Sequence, residues 1–249
     1  MKKTVGLVAL LVLMLPSLGL SGALSFRFGY FIPRAQSDLW SIEFENMDFQ
    51  KSDFQNTTLG IFYEHFLTRE ISLVIGVEGY GQTRLGSYVE FVSSSEMDWP
   101  YPAEFYEGYA ISHNFSVSVT PIQLSVKFAP LGRRSGFIPY LGGGICLYVW
   151  NVKVLGDIVD FAYWEDIVEP DLGVVRIYAV DYAELRADNR FNIGFQAFAG
   201  FMIPIARRLA LEAEFKFNYG KGSLGEAFRG FESFDLSGYQ ISLGANYWF

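Results

Sequence analysis

Apolar and polar residues alternate with a period of two along much of the chain, most clearly over its last eleven residues. One face of that segment carries Tyr239, Ile241, Leu243, Ala245, Tyr247 and Phe249. The other face carries Gln240, Ser242, Gly244, Asn246 and Trp248. A period of two is typical of a β-strand whose two faces meet different surroundings. The pattern therefore predicts that residues 239–249 form a strand.

Seven further segments alternate in the same way, so the sequence predicts eight strands. The first seven span residues 25–32, 58–66, 71–80, 115–128, 137–150, 191–203 and 209–219. In the fourth segment the apolar residues change parity at Thr120 and Pro121. We expect a β-bulge there, because proline cannot donate a hydrogen bond to the strand ladder.

The connections between the predicted strands alternate between short and long. The long ones are residues 34–57, 82–113, 152–190 and 220–237. Eight strands with short turns at one end and long loops at the other match the layout of small outer-membrane barrels. The sequence therefore predicts an all-β fold, an eight-stranded antiparallel up-and-down transmembrane β-barrel with both termini at the short-turn end. Residues 174–180 also have a strand pattern, so the third long loop is expected to extend the barrel wall.

Alternation alone fits two barrels of opposite orientation. A soluble, lipocalin-like barrel holds its apolar residues inside, whereas a membrane barrel turns them outward. Three features favour the membrane barrel: the loop asymmetry with the terminal Phe249, the small and polar residues of the second face, and the aromatic residues near strand ends. No charged residue falls on the face assigned to lipid, where an Arg or Lys at the midplane costs about 2–4 kcal/mol.

The first segment, residues 1–23, is predicted to be a signal peptide. Lys2 and Lys3 precede a short apolar run, and the small residues ending at Ala23 suit a cleavage site. The run is shorter than the roughly 18 apolar residues of a membrane-spanning helix. Export places the barrel, residues 24–249, in the bacterial outer membrane. Its expected partners there are outer-membrane lipids and the outer-membrane assembly machinery.

Charge separates the two ends of the predicted barrel. The long loops carry 22 acidic and 9 basic residues, whereas the short turns are basic. Acidic loops argue against binding of nucleic acid, which needs a basic surface. The loops also hold aromatic residues, which either form a binding surface or pack the loops on one another. These residues are Trp40, Trp99, Tyr101, Phe105, Tyr106, Tyr163 and Trp164.

Charged residues on the second face of the strands are predicted to form a network inside the barrel. Unpaired charges in a narrow interior are costly, so they are expected to pair. The network comprises Arg27, Lys127 and Lys216 with Glu64, Glu78, Glu212 and Glu214. Strand one closes against strand eight, and strand seven lies one further, so Arg27 could reach across the interior to Glu212 or Glu214. The network is either a plug that fills the barrel or a gated path for ions or protons.

Signals for catalysis or metal binding are weak. Neither His113, with Ser112 and Ser116 near it, nor His65 forms a clear nucleophile–base arrangement, so no enzyme is expected. The acidic candidates for a divalent cation match no EF-hand spacing. They are Asp157, Asp160, Glu165, Asp166, Glu169 and Asp171. No cofactor is predicted, and the single cysteine, Cys146, excludes an intramolecular disulfide.

Several segments resemble the small outer-membrane β-barrel superfamily that includes the OmpA, OmpX, OmpW and opacity-type proteins. They are residues 29–33, 59–64, 128–130, 139–144 and 247–249. The last strand also resembles the assembly signal of such barrels, carried here by Tyr239, Ile241, Leu243, Tyr247 and Phe249. The resemblance implies the fold but leaves the function open among structural anchors, adhesins and small-molecule channels.

The leading hypothesis is a non-enzymatic barrel with a side-chain-filled interior, whose acidic loops give it a structural role or bind a surface ligand. The alternative is an OmpW-like narrow channel for small apolar molecules. A lipid-modifying outer-membrane enzyme is a third hypothesis. The roles of loops 34–57, 82–113 and 152–190 are not apparent from the sequence.

Overall fold

The computed structural model describes residues 21–93, 100–104, 107–170 and 172–249. Most of the predicted signal peptide lies outside these residues. The same is true of Trp99, Phe105, Tyr106, Asp171 and the side chain of Tyr101. The boundary predicted after Ala23 lies inside the first strand, where the Gly22 amide donates a hydrogen bond of 3.2 Å to Phe249.

The described residues form eleven strands, one α-helix and two short 3-10 helices. The strands are β1 (Gly22–Pro33), β2 (Asn56–Phe66), β3 (Ile71–Ser93), β4 (Pro100–Pro102), β5 (Tyr109–Phe128), β6 (Ile138–Glu169), β7 (Gly173–Ala206), β8 (Leu209–Tyr219), β9 (Lys221–Gly222), β10 (Phe234–Asp235) and β11 (Gly238–Trp248). The helix α1 spans Asp38–Asn46. The 3-10 helices span Lys51–Phe54 and Glu226–Phe228.

Eight of these strands close into an antiparallel barrel. Their order around the barrel is β1, β2, β3, β5, β6, β7, β8 and β11, and β11 pairs back with β1. The short strand β4 pairs with the far end of β3, and β9 pairs with β10. The predicted eight-stranded up-and-down barrel is therefore confirmed.

Exposed apolar side chains cover the outside of the barrel. Leu59 is 70 % exposed, Ile193 is 79 % exposed and Leu243 is 65 % exposed, whereas Lys127 and Lys216 are buried inside. A water-soluble protein rarely exposes so much apolar surface. A barrel with an apolar outer band and a polar interior is the arrangement that crosses a membrane. None of the described helices is long and apolar enough to span a bilayer.

The prediction of a β-bulge at Thr120 and Pro121 is wrong. On one side of these residues Val77 of β3 pairs with Ile122 of β5, and on the other side Tyr80 pairs with Val119. Two residues separate the pairs on each strand, so the register is unchanged. Odd-numbered residues of β5 from 111 onward stay buried along the whole strand.

The surroundings of strand β5 change at Thr120 and Pro121. Toward the short-turn end, the buried residues of β5 are Gln123, Ser125 and Lys127, and exposed apolar residues face outward. Toward the long-loop end, the buried residues are Phe115, Val117 and Val119. Ser116 and Ser118 face outward there. The strand leaves the apolar band at this level, so apolar residues change sides while the backbone alternation continues.

Four strands extend well beyond the apolar band at the long-loop end. They are β3, β5, β6 and β7, and they include much of the segments 82–113 and 152–190 that were predicted as loops. The expectation that residues 174–180 extend the wall agrees with this arrangement. The outermost part of β6 and β7, residues 157–182, is called the ribbon below. The pairing of β6 with β7 shifts register twice, between Trp150 and Val152 below the ribbon and between Asp160 and Trp164 within it.

Candidate functional site

The seven charged residues expected inside the barrel lie together there. Each is at most 6 % exposed. The alternation of each strand turns these side chains inward, and the narrow interior of an eight-stranded barrel brings opposite walls within reach of one another. They are Arg27 on β1, Glu64 on β2, Glu78 on β3, Lys127 on β5, and Glu212, Glu214 and Lys216 on β8.

Arg27 lies between two glycines on the neighbouring strands. It pairs with Gly60 of β2 and Gly244 of β11. Its side chain crosses Gly244 to reach β8, where Nε lies 3.1 Å from Glu212 and Nη1 lies 2.7 Å from Glu214. A Cβ atom at Gly244 would lie 2.9 Å from Cγ of Arg27. The glycine therefore leaves the space through which Arg27 reaches its partners.

Lys127 joins the two sides of the network. Its Nζ lies 2.9 Å from Glu64 and 2.9 Å from Glu212. Arg133, in the short connection between β5 and β6, also contacts Glu64 at 2.9 Å and completes the set. The network thus contains four carboxylates and four cations. Sequence reasoning missed Arg133 because a turn residue has no strand face, and nothing in its position predicts that it folds back into the barrel.

The carboxylate of Glu78 has three partners. Lys216 Nζ lies 2.7 Å away, and the side-chain amides of Gln123 and Gln240 donate hydrogen bonds of 2.5 and 2.8 Å. Every carboxylate of the network likewise has at least two polar partners. Buried charges of this kind are stable only when they are paired and hydrogen-bonded.

Aromatic rings fill the space between these charges. The guanidinium of Arg27 lies 4.2 Å from the ring centre of Phe62, and Lys216 lies 5.1 Å from the same ring. Lys127 lies 4.0 Å from the ring centre of Tyr140, whose hydroxyl donates a hydrogen bond of 3.0 Å to Glu214. Cations over ring faces are attracted to them. The charged layer is therefore also a packed layer.

A second, apolar layer lies toward the long-loop end. The chain between β1 and β2 places Trp40 and Phe54 inside the extended wall. The ring centre of Trp40 lies 5.1 Å from those of Phe54, Phe115 and Phe234. Trp150 stacks on Phe234 at 5.9 Å. We call these five residues, each at most 1 % exposed, the aromatic plug. Trp40 thus packs the loops together rather than forming a surface.

The first and last long connections are bound to each other. The main-chain carbonyl of Asp235 accepts a hydrogen bond of 3.2 Å from the Trp40 indole. Its carboxylate accepts one of 3.1 Å from the Gln36 amide, and its own amide donates one of 3.2 Å to the Ser37 hydroxyl. The segment after β1 is therefore fixed to the segment before β11.

The two histidines lie far apart in different surroundings. His113 faces inward on β5, and its Nε2 lies 2.8 Å from Glu43 of α1. Ser112 and Ser116 lie on the opposite face of β5, so the serine neighbours considered in sequence are not its partners. His65 lies near the short-turn end of β2, paired with Gly22 and Leu73.

The acidic residues considered for a cation do not converge. Among the described residues, no group of three His, Cys, Asp or Glu side chains could hold a metal ion. Asp166 instead binds Arg176 on the facing strand, with nitrogen–oxygen distances of 2.9 and 3.2 Å. The hydrogen bond from Arg176 holds the pKa of Asp166 below its usual range. This carboxylate is therefore paired within the ribbon and does not point to a metal site.

The ribbon presents exposed apolar residues on an ordered framework. At its base, the rings of Phe91, Phe161 and Tyr178 lie 5.2–5.7 Å apart. Arg176 covers the ring of Trp164 at 4.0 Å. The exposed residues include Tyr163 at 68 %, Trp164 at 52 %, Val168 at 80 %, Val174 at 69 % and Tyr182 at 74 %. Aromatic residues are enriched in protein interfaces, so this surface is suited to contact.

The residues of the expected assembly signal lie on the outside of β11. Tyr239, Ile241, Leu243, Tyr247 and Phe249 are 43–65 % exposed and belong to the apolar band. Phe249 also stacks on Tyr63, with ring centres 6.3 Å apart. This placement leaves the residues accessible to lipid or to a partner protein. Their role in assembly stays a prediction.

No family model and no curated protein matches this chain. Similar solved structures include the outer membrane protein OprG from Pseudomonas aeruginosa, with 11 % identity over 92 % of this chain and 97 % of that chain and a TM-score of 0.49. Neisserial surface protein A has 12 % identity over 92 % and 97 %, with a TM-score of 0.47. E. coli outer membrane protein W has 16 % identity over 93 % and 100 %, with a TM-score of 0.39. The barrel fold of this chain follows from the pairing of its own strands.

Proposed function

We propose that this chain is a non-enzymatic outer-membrane β-barrel protein, closed along its axis, that holds a folded surface outside the cell. The apolar band supports the membrane location, because such a surface is stable against hydrocarbon and not against water. The basic short turns and the acidic long-loop end support an orientation with the ribbon outside the cell.

The observation that carries the proposal is the pair of packed layers inside the wall. The charge network has four cations for four carboxylates and aromatic rings between them. The aromatic plug lies beyond it and is fully buried. An ion would have to displace paired charges and then pass an apolar layer, and both steps are costly.

The ribbon and the acidic connections supply the outward role. They place aromatic and aliphatic side chains at one end of a rigid wall, as an anchor for surface contact would require. The long ladder between β6 and β7 and the ring cluster of Phe91, Phe161 and Tyr178 keep this end ordered. A partner would therefore meet a formed surface, with little ordering cost on this side.

Conductance across a planar lipid bilayer tests the closed axis. The refolded wild-type protein should show no steady conductance. The double variant Trp40→Ala, Lys216→Met removes one member of each layer and should conduct. The variant Ile42→Ala, on the same helix but 42 % exposed, is the control and should stay closed. Steady wild-type conductance that Lys216→Met abolishes would instead show that the network is an ion path.

A narrow channel for small apolar molecules remains a second candidate, favoured by one feature of the wall. A groove of about 680 Å³ on the outer surface is lined by lipid-facing residues such as Leu59 and Leu243 and also by the inward-facing Arg27 and Glu78. It lies beside residues 78–79 of β3 and 120–121 of β5, where the pairing of the two strands is interrupted without a change of register. Under this hypothesis Gly79→Trp, which fills the groove, would slow the uptake of naphthalene by expressing cells. Equal uptake would argue against it.

A further inference from the structure

A second cavity lies at the long-loop end, between α1 and the inner face of the ribbon. Its volume is about 450 Å³. Most of its lining is apolar and comes from Leu39, Ile42, Val154, Ile158, Leu185 and Phe231. Cavities that bind small molecules have this character: an apolar lining with a few placed polar groups. The polar groups here indicate which molecules fit.

One polar group of the cavity is a buried contact between a carboxylate and an imidazole that is incompletely satisfied. Glu43 and His113 both line the cavity and are 6 % and 3 % exposed. Nε2 of His113 contacts Glu43 at 2.8 Å, but its buried Nδ1 has no hydrogen-bond partner among the described residues. A buried nitrogen without a partner is costly, so a group that moves within reach of it gains a hydrogen bond.

The charge of the lining is negative. Besides Glu43, the carboxylates of Asp160 and Asp181 line the cavity, and no Lys or Arg does among its described lining residues. Asp181 is exposed and Asp160 is half-buried, so both remain close to solvent. Tyr88 adds no charge at neutral pH, and burial raises the pKa of its hydroxyl further, to about 12. The surrounding loops are acidic as well. An anionic ligand is therefore disfavoured, and a cation is attracted.

We propose that this cavity binds a small apolar amine, with its hydrocarbon or aromatic body against the apolar lining. The cavity supplies carboxylates for the ammonium group and, on the imidazole of His113, a nitrogen that has no hydrogen-bond partner among the described residues. Glu43 fixes the orientation of that imidazole. This site does not depend on whether the barrel axis conducts, because it lies outside the charge network.

Calorimetric titration of the full chain in lipid nanodiscs tests the proposal with three probes of similar size. They are 2-phenylethylamine, 2-phenylethanol and 3-phenylpropionate, and empty nanodiscs correct for partition into lipid. The amine should bind at least tenfold more tightly than the alcohol, which corresponds to about 1.4 kcal/mol. The carboxylate should not bind. Equal affinity for amine and alcohol, or no binding at millimolar amine, would overturn the proposal.

Substitutions in the cavity lining show whether the amine binds there. Asp160→Asn with Asp181→Asn should weaken amine binding about tenfold and leave alcohol binding unchanged. Asp157→Asn with Glu165→Gln removes the same charge from the same ribbon outside the cavity lining, and it should have a much smaller effect. Ala183→Trp fills the cavity and should abolish binding of both molecules. If the control pair weakens amine binding as much as the cavity pair, the general acidic field explains it and the site is disproved.

Discussion

Arg27 and Glu212 face each other across Gly244, on the two strands that flank β11. The distance between Nε and the carboxylate is 3.1 Å, and Gly244 pairs with both residues in the sheet. The contact therefore spans three adjacent strands, including the first and the last of the chain. It depends on a residue without a side chain at the middle position.

Gly244→Ala should destabilise the barrel by roughly 1–3 kcal/mol, the usual cost of overpacking. The new Cβ would lie 2.9 Å from Cγ of Arg27 and 3.0 Å from the Phe26 carbonyl. Urea unfolding of the refolded protein, followed by the mobility difference between folded and unfolded barrel in cold SDS gels, measures the change. Gly79→Ala is the control, since a Cβ at Gly79 would meet no atom within 4 Å. Equal unfolding midpoints for both variants would contradict the role assigned to Gly244.

Removing Lys127 should be far more damaging. Lys127→Met leaves Glu64 and Glu212 without their shared cation, and breaking a buried pair in this way costs roughly 3–5 kcal/mol. The same urea titration should show this loss. Arg176→Met breaks an ion pair on the exposed ribbon and should leave the midpoint unchanged, because solvent screens such pairs. A Lys127→Met barrel as stable as the wild type would show that the network is solvated.

The level at which β5 leaves the membrane can be tested by substituting two residues on the outward face of this strand. Val126 and Ser118 both face outward, but Val126 lies in the apolar band and Ser118 lies beyond the interruption at Pro121. Val126→Lys should destabilise the barrel in lipid vesicles by about 2–4 kcal/mol. Ser118→Lys should have little effect, since its side chain meets water. Similar costs at both positions would place the membrane boundary elsewhere.

Labelling of intact cells tests which end is outside. Val168→Cys and Tyr182→Cys place thiols at residues that are 80 % and 74 % exposed on the ribbon. A membrane-impermeant maleimide should label both in whole cells. It should label Arg208→Cys, in the turn between β7 and β8, only after the cells are broken. Cys146 is buried, so the parent protein should stay unlabelled. Labelling of Arg208→Cys on intact cells would reverse the orientation.

The membrane-embedded part of the fold could be predicted because successive residues of each strand face lipid and the polar interior in turn. Lipid requires apolar side chains and the interior accepts polar ones. In β8 the predicted bounds, Leu209–Tyr219, are those of the structure. The inward charges could be identified for the same reason, since Arg27 and Lys216 lie on the polar face of their strands and not on the apolar face. The alternation of apolar and polar residues therefore predicted both the strands and the charge network.

The rest could not be predicted because alternation changes its meaning outside the membrane. The apolar residues of β5 move from the outer face to the inner face near Pro121, which looks like a bulge in sequence. On the ribbon the alternation is incomplete, with a few buried residues such as Val159 and Ile177 among many exposed ones, so only residues 174–180 of it were predicted as a strand. Arg133 in a turn and Glu43 on α1 find partners 69 and 70 residues away, Glu64 and His113, and no local pattern indicates such pairs.

The first and last strands of the barrel are held together at both of their ends. At the short-turn end Gly22 and Phe249 exchange two backbone hydrogen bonds, and at the other end Asp235 fixes the segment that follows β1. The junction between β1 and β11, where the barrel closes, is therefore held by hydrogen bonds at both ends. These two strands cannot separate toward the lipid unless both sets of hydrogen bonds break.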